Sequence, residues 1–196
     1  MPNRTRSILC VVSALGLLLS ACDTTPISVP AAGSATAPSE GIAMQASTLP
    51  PAAGEGIHAL VDSWTAAWNA ADGIAYGRHY AADADFVNPL GAVLSGSAAI
   101  GATHAFLLDP VIGPFRGTTT SSVVRRMVAL TGSVVLVDLT TTVTGFANTP
   151  PFPPPGLVQW EPGVVKTRHH LVVARNGAGW HIIAQQITAM QPGIPD

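Results

Sequence analysis

From Thr118 to Ala189 the chain is built mainly of long Thr-, Val- and Ile-rich runs. β-Branched residues are stiff at χ1 and pack well on a pleated surface, so such runs favour strands over helices. Thr118–Leu130 and Ser133–Thr144 flank the turn Thr131-Gly132, while Lys166–Arg175 and Trp180–Ala189 flank Asn176-Gly177-Ala178-Gly179, a strong hairpin signal. Two long hairpins imply a large antiparallel sheet, and its apolar face needs a cover. The preceding segment supplies one. Ile57, Leu60, Val61, Trp64 and Trp68 recur at three- and four-residue steps, the period of an amphipathic helix. Gly73 interrupts it, and Ile74–Ala82 reads as a short second helix. Asp85–Asn88 and Ala92–Leu94 read as short strands around the turn Pro89-Leu90-Gly91. Ser97 is placed to cap a third helix, Ala98–Leu108, which stops before Pro110. Helices followed by long strands predict an α+β fold, with the helices on one face of a curved sheet.

The first residues read as an address. Arg4 and Arg6 precede the apolar run Ile8–Leu19, which is shorter than the roughly 20 residues a spanning helix needs but suits a secretory signal. The run ends in Leu19-Ser20-Ala21-Cys22, which resembles the bacterial lipobox. The resemblance implies cleavage before Cys22, a lipid on its thiol, and a chain anchored in the bilayer of a bacterial cell membrane with its domain on the extracytoplasmic side. The only two cysteines are Cys10 and Cys22, so a mature domain would hold no disulfide, no Cys-ligated metal and no Cys nucleophile. Residues 1–21 are therefore read as signal and 22–54 as a lipidated Cys with an Ala/Pro/Ser/Thr tether too poor in apolar side chains to fold. Residues 55–191 form the domain, and 192–196 a tail.

Charge narrows the function. Lys and Arg number 9 and Asp and Glu 11 in 196 residues, so no basic field exists to hold phosphates, and nucleic acid is not an expected partner. Charged residues are only 10% against 47% apolar, which excludes a disordered polyelectrolyte. The stretch Ala147–Gly163 carries Pro150, Pro151, Pro153, Pro154 and Pro155, which cannot donate to a ladder. It reads as a stiff loop whose Phe152, Leu157 and Trp160 either pack back on the domain or form a lid or dimer contact.

The element order is similar to that of the nuclear transport factor 2-like superfamily. Within it, three segments are similar to the SgcJ/EcaC group of SnoaL-like proteins: Trp64-Thr-Ala-Ala-Trp68-Asn69, Asp85-Phe86-Val87-Asn88-Pro89-Leu90-Gly91 and Gly96-Ser-Ala-Ala-Ile100. Trp180-His-Ile-Ile183 after a Gly turn fits as well. The resemblance implies a cone-shaped barrel of curved antiparallel sheet with three helices on its concave face. It also implies a pocket for a small hydrophobic ligand, and dimerisation through the outer sheet face. Members serve as isomerases, cyclases, dehydratases and interaction domains, and the SgcJ/EcaC group carries an oxidoreductase label. The sequence holds no Gly-rich dinucleotide fingerprint, so no cofactor is expected. Ketosteroid isomerases of the superfamily place a general-base Asp in an Asp-Pro-Val/Phe-Gly turn; this chain has Asn88-Pro89-Leu90-Gly91, and an amide cannot take the proton. Their oxyanion-hole Tyr corresponds to Trp64, which keeps a donor but not the phenol.

Candidate site residues follow. His104 lies four residues after Ile100 on the apolar stripe of the third helix, so it points into the fold and is the candidate acid/base or ligand-orienting group. Trp64, Trp68, Tyr80, Phe86 and Asn88 are expected to line the pocket. His169 and His170 are adjacent in a strand and face opposite sides, so they cannot share a metal ion, and none is expected. Arg168 shares a face with His170, and Gln185 and Gln186 also oppose one another; one of each pair can line the pocket, and Arg168 with His170 is taken as the ligand-facing set. Of Arg125 and Arg126, one is expected to pair with an acid such as Asp138.

Overall fold

The protein is described by a computed structural model over residues 49–146, 154, 156–177 and 179–193. The signal segment, Cys22, nearly all of the tether and Phe152 lie outside the described residues. Helix α1 runs from Pro51 to Asn69, starting inside the segment read as tether because Pro51 occupies the first turn, where its missing N–H costs nothing. Its buried face is Ala53, Ile57, Leu60, Val61, Trp64 and Ala67. Helix α2 is short, Gly73–Gly77, and Asp72 caps it by accepting from the Ala75 N–H at 2.8 Å.

The second helix was expected to reach Ala82, but strand β1 occupies Tyr80–Val87. Tyr80, Ala84 and Phe86 are buried there, and the strand pairs with the last strand of the chain. A long-range ladder overrides the helical propensity of the alanines. Strand β2 is Val93–Ser95 and helix α3 Ser97–Leu107. Ser97 does not cap α3; the N-cap is Gly96, at φ 86°, and no side chain bonds there. Four long strands follow as expected: β3 Thr119–Ala129, β4 Val134–Thr144, β6 Val164–Asn176 and β7 Gly179–Ala189. A three-residue β5, Gln159–Glu161, precedes β6.

The sheet order is β2-β1-β7-β6-β4-β3, with β5 beside β6. All pairings are antiparallel except β1 with β7, which is parallel. The curved sheet is therefore mixed rather than antiparallel throughout: β1 joins the free edge of the last hairpin in the same direction as β7. Its inner face is Val135, Val137 and Leu139 of β4 with Leu171 and Val173 of β6, packed with Ile57, Trp64, Tyr76, Phe86 and Ile100 in one core. Each such fully buried aliphatic contributes about 1.5–3 kcal/mol.

Two local devices set what faces inward. Val173 pairs with Ile182, but Val172 pairs with Ala184, so Ile183 is an extra residue on β7. This bulge switches the strand's parity, and Gln185 is buried while Gln186 is exposed. The second device is the contact of α2 with α3. A Cβ on Gly73 would overlap the backbone of His104 and Ala105, and one on Gly77 would overlap Gly101. The two glycines let the helices touch backbone to backbone, which seats His104. Gly73→Ala is expected to cost about 3 kcal/mol by overpacking, with a fall in urea midpoint. Gly132→Ala, where a Cβ meets open space, should leave the midpoint nearly unchanged.

Candidate functional site

The helices and the inner sheet face enclose a cavity of about 300 Å³. Trp64, Thr65 and Trp68 of α1, Tyr76 of α2, Phe86 of β1 and His104 of α3 form much of its wall. Thr141, Thr167 and His169 line the sheet side, Leu107 lines it from the end of α3, and Leu90, Phe115, Pro154 and Leu157 come from the turns and loops. Among the described lining residues none is Asp, Glu, Lys or Arg. The cavity is apolar with neutral polar groups set into it, the usual make-up of a small-molecule site.

Those polar groups form a directed chain. The Trp64 indole N–H donates to the Tyr80 hydroxyl at 3.2 Å, and Tyr80 donates to Gln185 Oε1 at 2.6 Å. The Tyr80 hydroxyl also lies 3.3 Å from that of Tyr76. Gln185 Nε2 then donates to His169 Nδ1 at 2.8 Å. The His169 proton is thereby placed on Nε2, which meets Thr167 Oγ1 at 2.8 Å and Thr141 Oγ1 at 3.0 Å. The two hydroxyls are 2.5 Å apart and only one proton fits between them. The other hydroxyl proton has no partner among the described residues, and both threonines face the cavity.

His104 is a separate case. Its Nδ1–H donates to the Ile100 carbonyl at 2.8 Å, which leaves the lone pair on Nε2. The ring stacks on Tyr76 at 4.0 Å between centroids and meets Phe86 edge-on at 5.4 Å. Burial pushes its pKa down to about 4, with a partial offset from the Ile100 carbonyl. Burial pushes His169 to about 3, helped by the charges that His170 and His104 could carry. Both rings are neutral at pH 7. Burial also raises Tyr76 and Tyr80 well above the usual phenol range, so no anion forms there.

Of the residues singled out from the sequence, His104, Trp64, Trp68, Phe86 and Asn88 line the cavity. Tyr80 is buried behind the wall and acts through Trp64, Tyr76 and Gln185. The Asn88 carbonyl is spent on its own turn, accepting from the N–H groups of Leu90 and Ala92 at 2.9 Å each. Arg168 and His170 do not line the cavity. They share the outer face, where His170 Nδ1 is 2.7 Å from Asp138 Oδ1 and Arg126 Nε is 2.7 Å from Asp138 Oδ2. The inward members are Thr167, His169 and Gln185. One signal for β6 was in the sequence: Lys166 and Arg168 have the parity of His170, and two cations on one strand face mark it as the wet one. No such signal exists for Gln185.

A second, shallower groove lies beside α1, with Ser63, Arg78, His79, Trp180 and His181. His79 donates from Nδ1 to the Tyr76 carbonyl at 3.2 Å, and its Nε2 is 2.9 Å from Ser63 Oγ, a tie between α1 and the α2–β1 corner.

No family model and no curated protein matches the chain. Solved structures do. A domain with a cystatin-like fold from Nostoc punctiforme is 21% identical, with a TM-score of 0.60 over 74% of this chain and 81% of that one. A ketosteroid isomerase-like protein from Erwinia carotovora is 16% identical, with a TM-score of 0.51 over 70% of this chain and 96% of that one. A Xanthomonas campestris protein named for a calcium/calmodulin dependent protein kinase II association domain is 19% identical, with a TM-score of 0.52 over 76% of this chain and 95% of that one. The fold is the cystatin-like, or nuclear transport factor 2-like, cone. At these identities the likeness carries the fold alone.

Two outcomes are expected. His104 and His169 titrate below their unfolded value near 6.5, so the stability they lend is complete above that pH and falls as pH drops toward 4 and 3. Between pH 7 and 5 the loss is about 2 kcal/mol for each ring, and His104→Phe should show a shallower decline in urea midpoint over the same interval. Tyr80→Phe strands the Trp64 N–H and Gln185 Oε1, and should cost about 2 kcal/mol at pH 7 in the same titration.

Proposed function

We propose that the protein is a membrane-anchored, extracytoplasmic lipoprotein whose SnoaL-like domain binds a small hydrophobic ligand in its conical cavity. The observation that carries the binding function is the cavity itself, about 300 Å³ with apolar walls and no charged group among its described lining residues. Asn88, where the ketosteroid isomerases have their base, is an amide whose carbonyl holds a turn. The anchoring rests on the lipobox-like Leu19-Ser20-Ala21-Cys22.

Native mass spectrometry of the chain purified from its own host tests the binding. A mass excess lost on denaturation is expected, whereas a bare mass would count against a resident ligand. Cys22→Ala is expected to move the protein from the membrane to the soluble fraction; unchanged fractionation would defeat the anchor.

A second reading is favoured by His104, which lines the cavity and whose Nε2 lone pair could take a proton from a substrate in an isomerase, cyclase, dehydratase or other SgcJ/EcaC-type reaction. A ring held at so low a pKa is a weak base, which places this reading second. Homodimerisation through the outer sheet face is proposed as well, from the association-domain neighbour, and the same native spectrum reads the mass of the assembly.

A further inference from the structure

Among the described lining residues of the cavity only Leu90 and Pro114 are exposed, so they mark its mouth. Two tips flank that mouth. One is the turn at Leu90, just before β2; the other is the loop between α3 and β3, which carries Val111 and Ile112. Leu90 is 62% exposed, Val111 77% and Ile112 63%, and Phe106, next to Leu107 on α3, is 55% exposed. Single apolar side chains on a surface are ordinary, but four around one opening form a patch. From Phe86 to Phe115 the only charged side chain is Asp109. The tips are also finished internally. Asn88 Oδ1 accepts from the N–H groups of Leu90 and Ala92 at 2.9 Å each, and the Asn88 backbone carbonyl accepts from Gly91 at 2.9 Å. Asp109 Oδ1 accepts from the N–H groups of Val111 at 2.8 Å and Ile112 at 3.0 Å, and its backbone carbonyl accepts from Gly113 at 3.0 Å. The backbone donors of both tips therefore need no water, which is what a turn must achieve to enter the edge of a hydrocarbon phase.

We propose that this rim is a membrane-contact surface: Leu90, Phe106, Val111 and Ile112 insert at the headgroup–acyl boundary of the bilayer, and the cavity mouth faces the membrane. This rests on the anchoring at Cys22, and adds to it an orientation of the domain. Chain length fits it. Trp68, near the end of α1, meets Phe115 of the mouth at 5.3 Å between ring centroids. The 19 residues of α1 therefore place Pro51 at most roughly 30 Å farther from the bilayer than the mouth. A tether of the roughly 30 residues between Cys22 and Pro51 has an r.m.s. reach of about 30 Å, so the anchored domain meets the bilayer mouth-first without stretching it. With no Lys or Arg between Phe86 and Phe115, the contact is apolar and depends neither on anionic lipid nor on salt. Four side chains at the boundary bind only weakly and reversibly by themselves, so loss of the lipid on Cys22 still releases the chain.

The test uses the lipidated protein in phosphatidylcholine vesicles. Once Cys10 is cleaved off and the Cys22 thiol carries lipid, an introduced Cys is the only free thiol. A nitrobenzoxadiazole probe is attached at Ala92→Cys, exposed in the rim, or at Gly132→Cys, in the turn at the far end of β3 from the cavity-lining Thr120. Doxyl-phosphatidylcholine is expected to quench the probe at position 92 about twofold and to leave the probe at 132 unchanged, equally at low and high salt. Leu90→Asp combined with Val111→Asp should bring the probe at 92 to the level at 132, because a carboxylate resists entry into the boundary. Equal quenching at both positions, none at 92, or quenching at 92 only with anionic lipid would each overturn the proposal. A blue shift at 92 without quenching by doxyl lipid would show the rim covered by a second copy, and would overturn it too. The mass of the purified chain reads the anchor separately: a chain without lipid on Cys22 refutes the anchor and this proposal together, whereas a lipidated chain unquenched at 92 refutes the proposal alone. The comparison of 92 with 132 holds even if the double variant does not fold.

Discussion

The hydrogen bond from Tyr80 to Gln185, at 2.6 Å, joins the first strand of the fold to the last, between groups more than a hundred residues apart in sequence. Trp64 from α1 and Tyr76 from α2 converge on the same phenol, and His169 from β6 takes the other end of the Gln185 amide. A buried polar group without a partner costs about as much as several buried methylenes, so this cluster is stable only when all its members are in place. It therefore fixes more than one contact. It sets the register of the parallel β1–β7 pair, holds the two N-terminal helices to the sheet, and orients His169 so that its proton reaches the threonines.

The cavity follows from that arrangement. Trp64, Tyr76 and Phe86 stand as a wall of aromatic rings against His104, with centroid separations of 4.0 to 5.4 Å along the path. Large, stiff rings braced by hydrogen bonds cannot collapse into the space between helices and sheet as flexible side chains would. The space stays open, and low polarity keeps both histidines neutral. Such a cavity presents shape and weak donors and acceptors rather than charge at neutral pH.

A good part of this was legible in the sequence. The period of Ile57, Leu60, Val61, Trp64 and Trp68 gave the buried face of α1, and the spacing of Ile100 and His104 turned the histidine inward, because an amphipathic helix has one buried stripe. The long hairpins were visible in their β-branched runs and glycine turns. The Asp138–Arg126 pair follows from cross-strand register. By contrast, Tyr80 was assigned to a helix, since alanine-rich sequence has a strong local preference and the partner that overrules it, β7, lies at the other end of the chain.

What the sequence determined by itself was composition of faces: which helix stripes are apolar and which segments are strands. Local period and local chemistry suffice for that. Which polar side chains meet was decided only in three dimensions. A single extra residue at Ile183 turns Gln185 rather than Gln186 inward, and strand parity puts His169 and Thr167 in the cavity while Arg168 and His170 face out. A bulge leaves no fixed mark in sequence, since it is the cross-strand ladder that selects it. The fold could be read from periods, but the polar lining of its cavity depends on register, and register is a property of the assembled sheet.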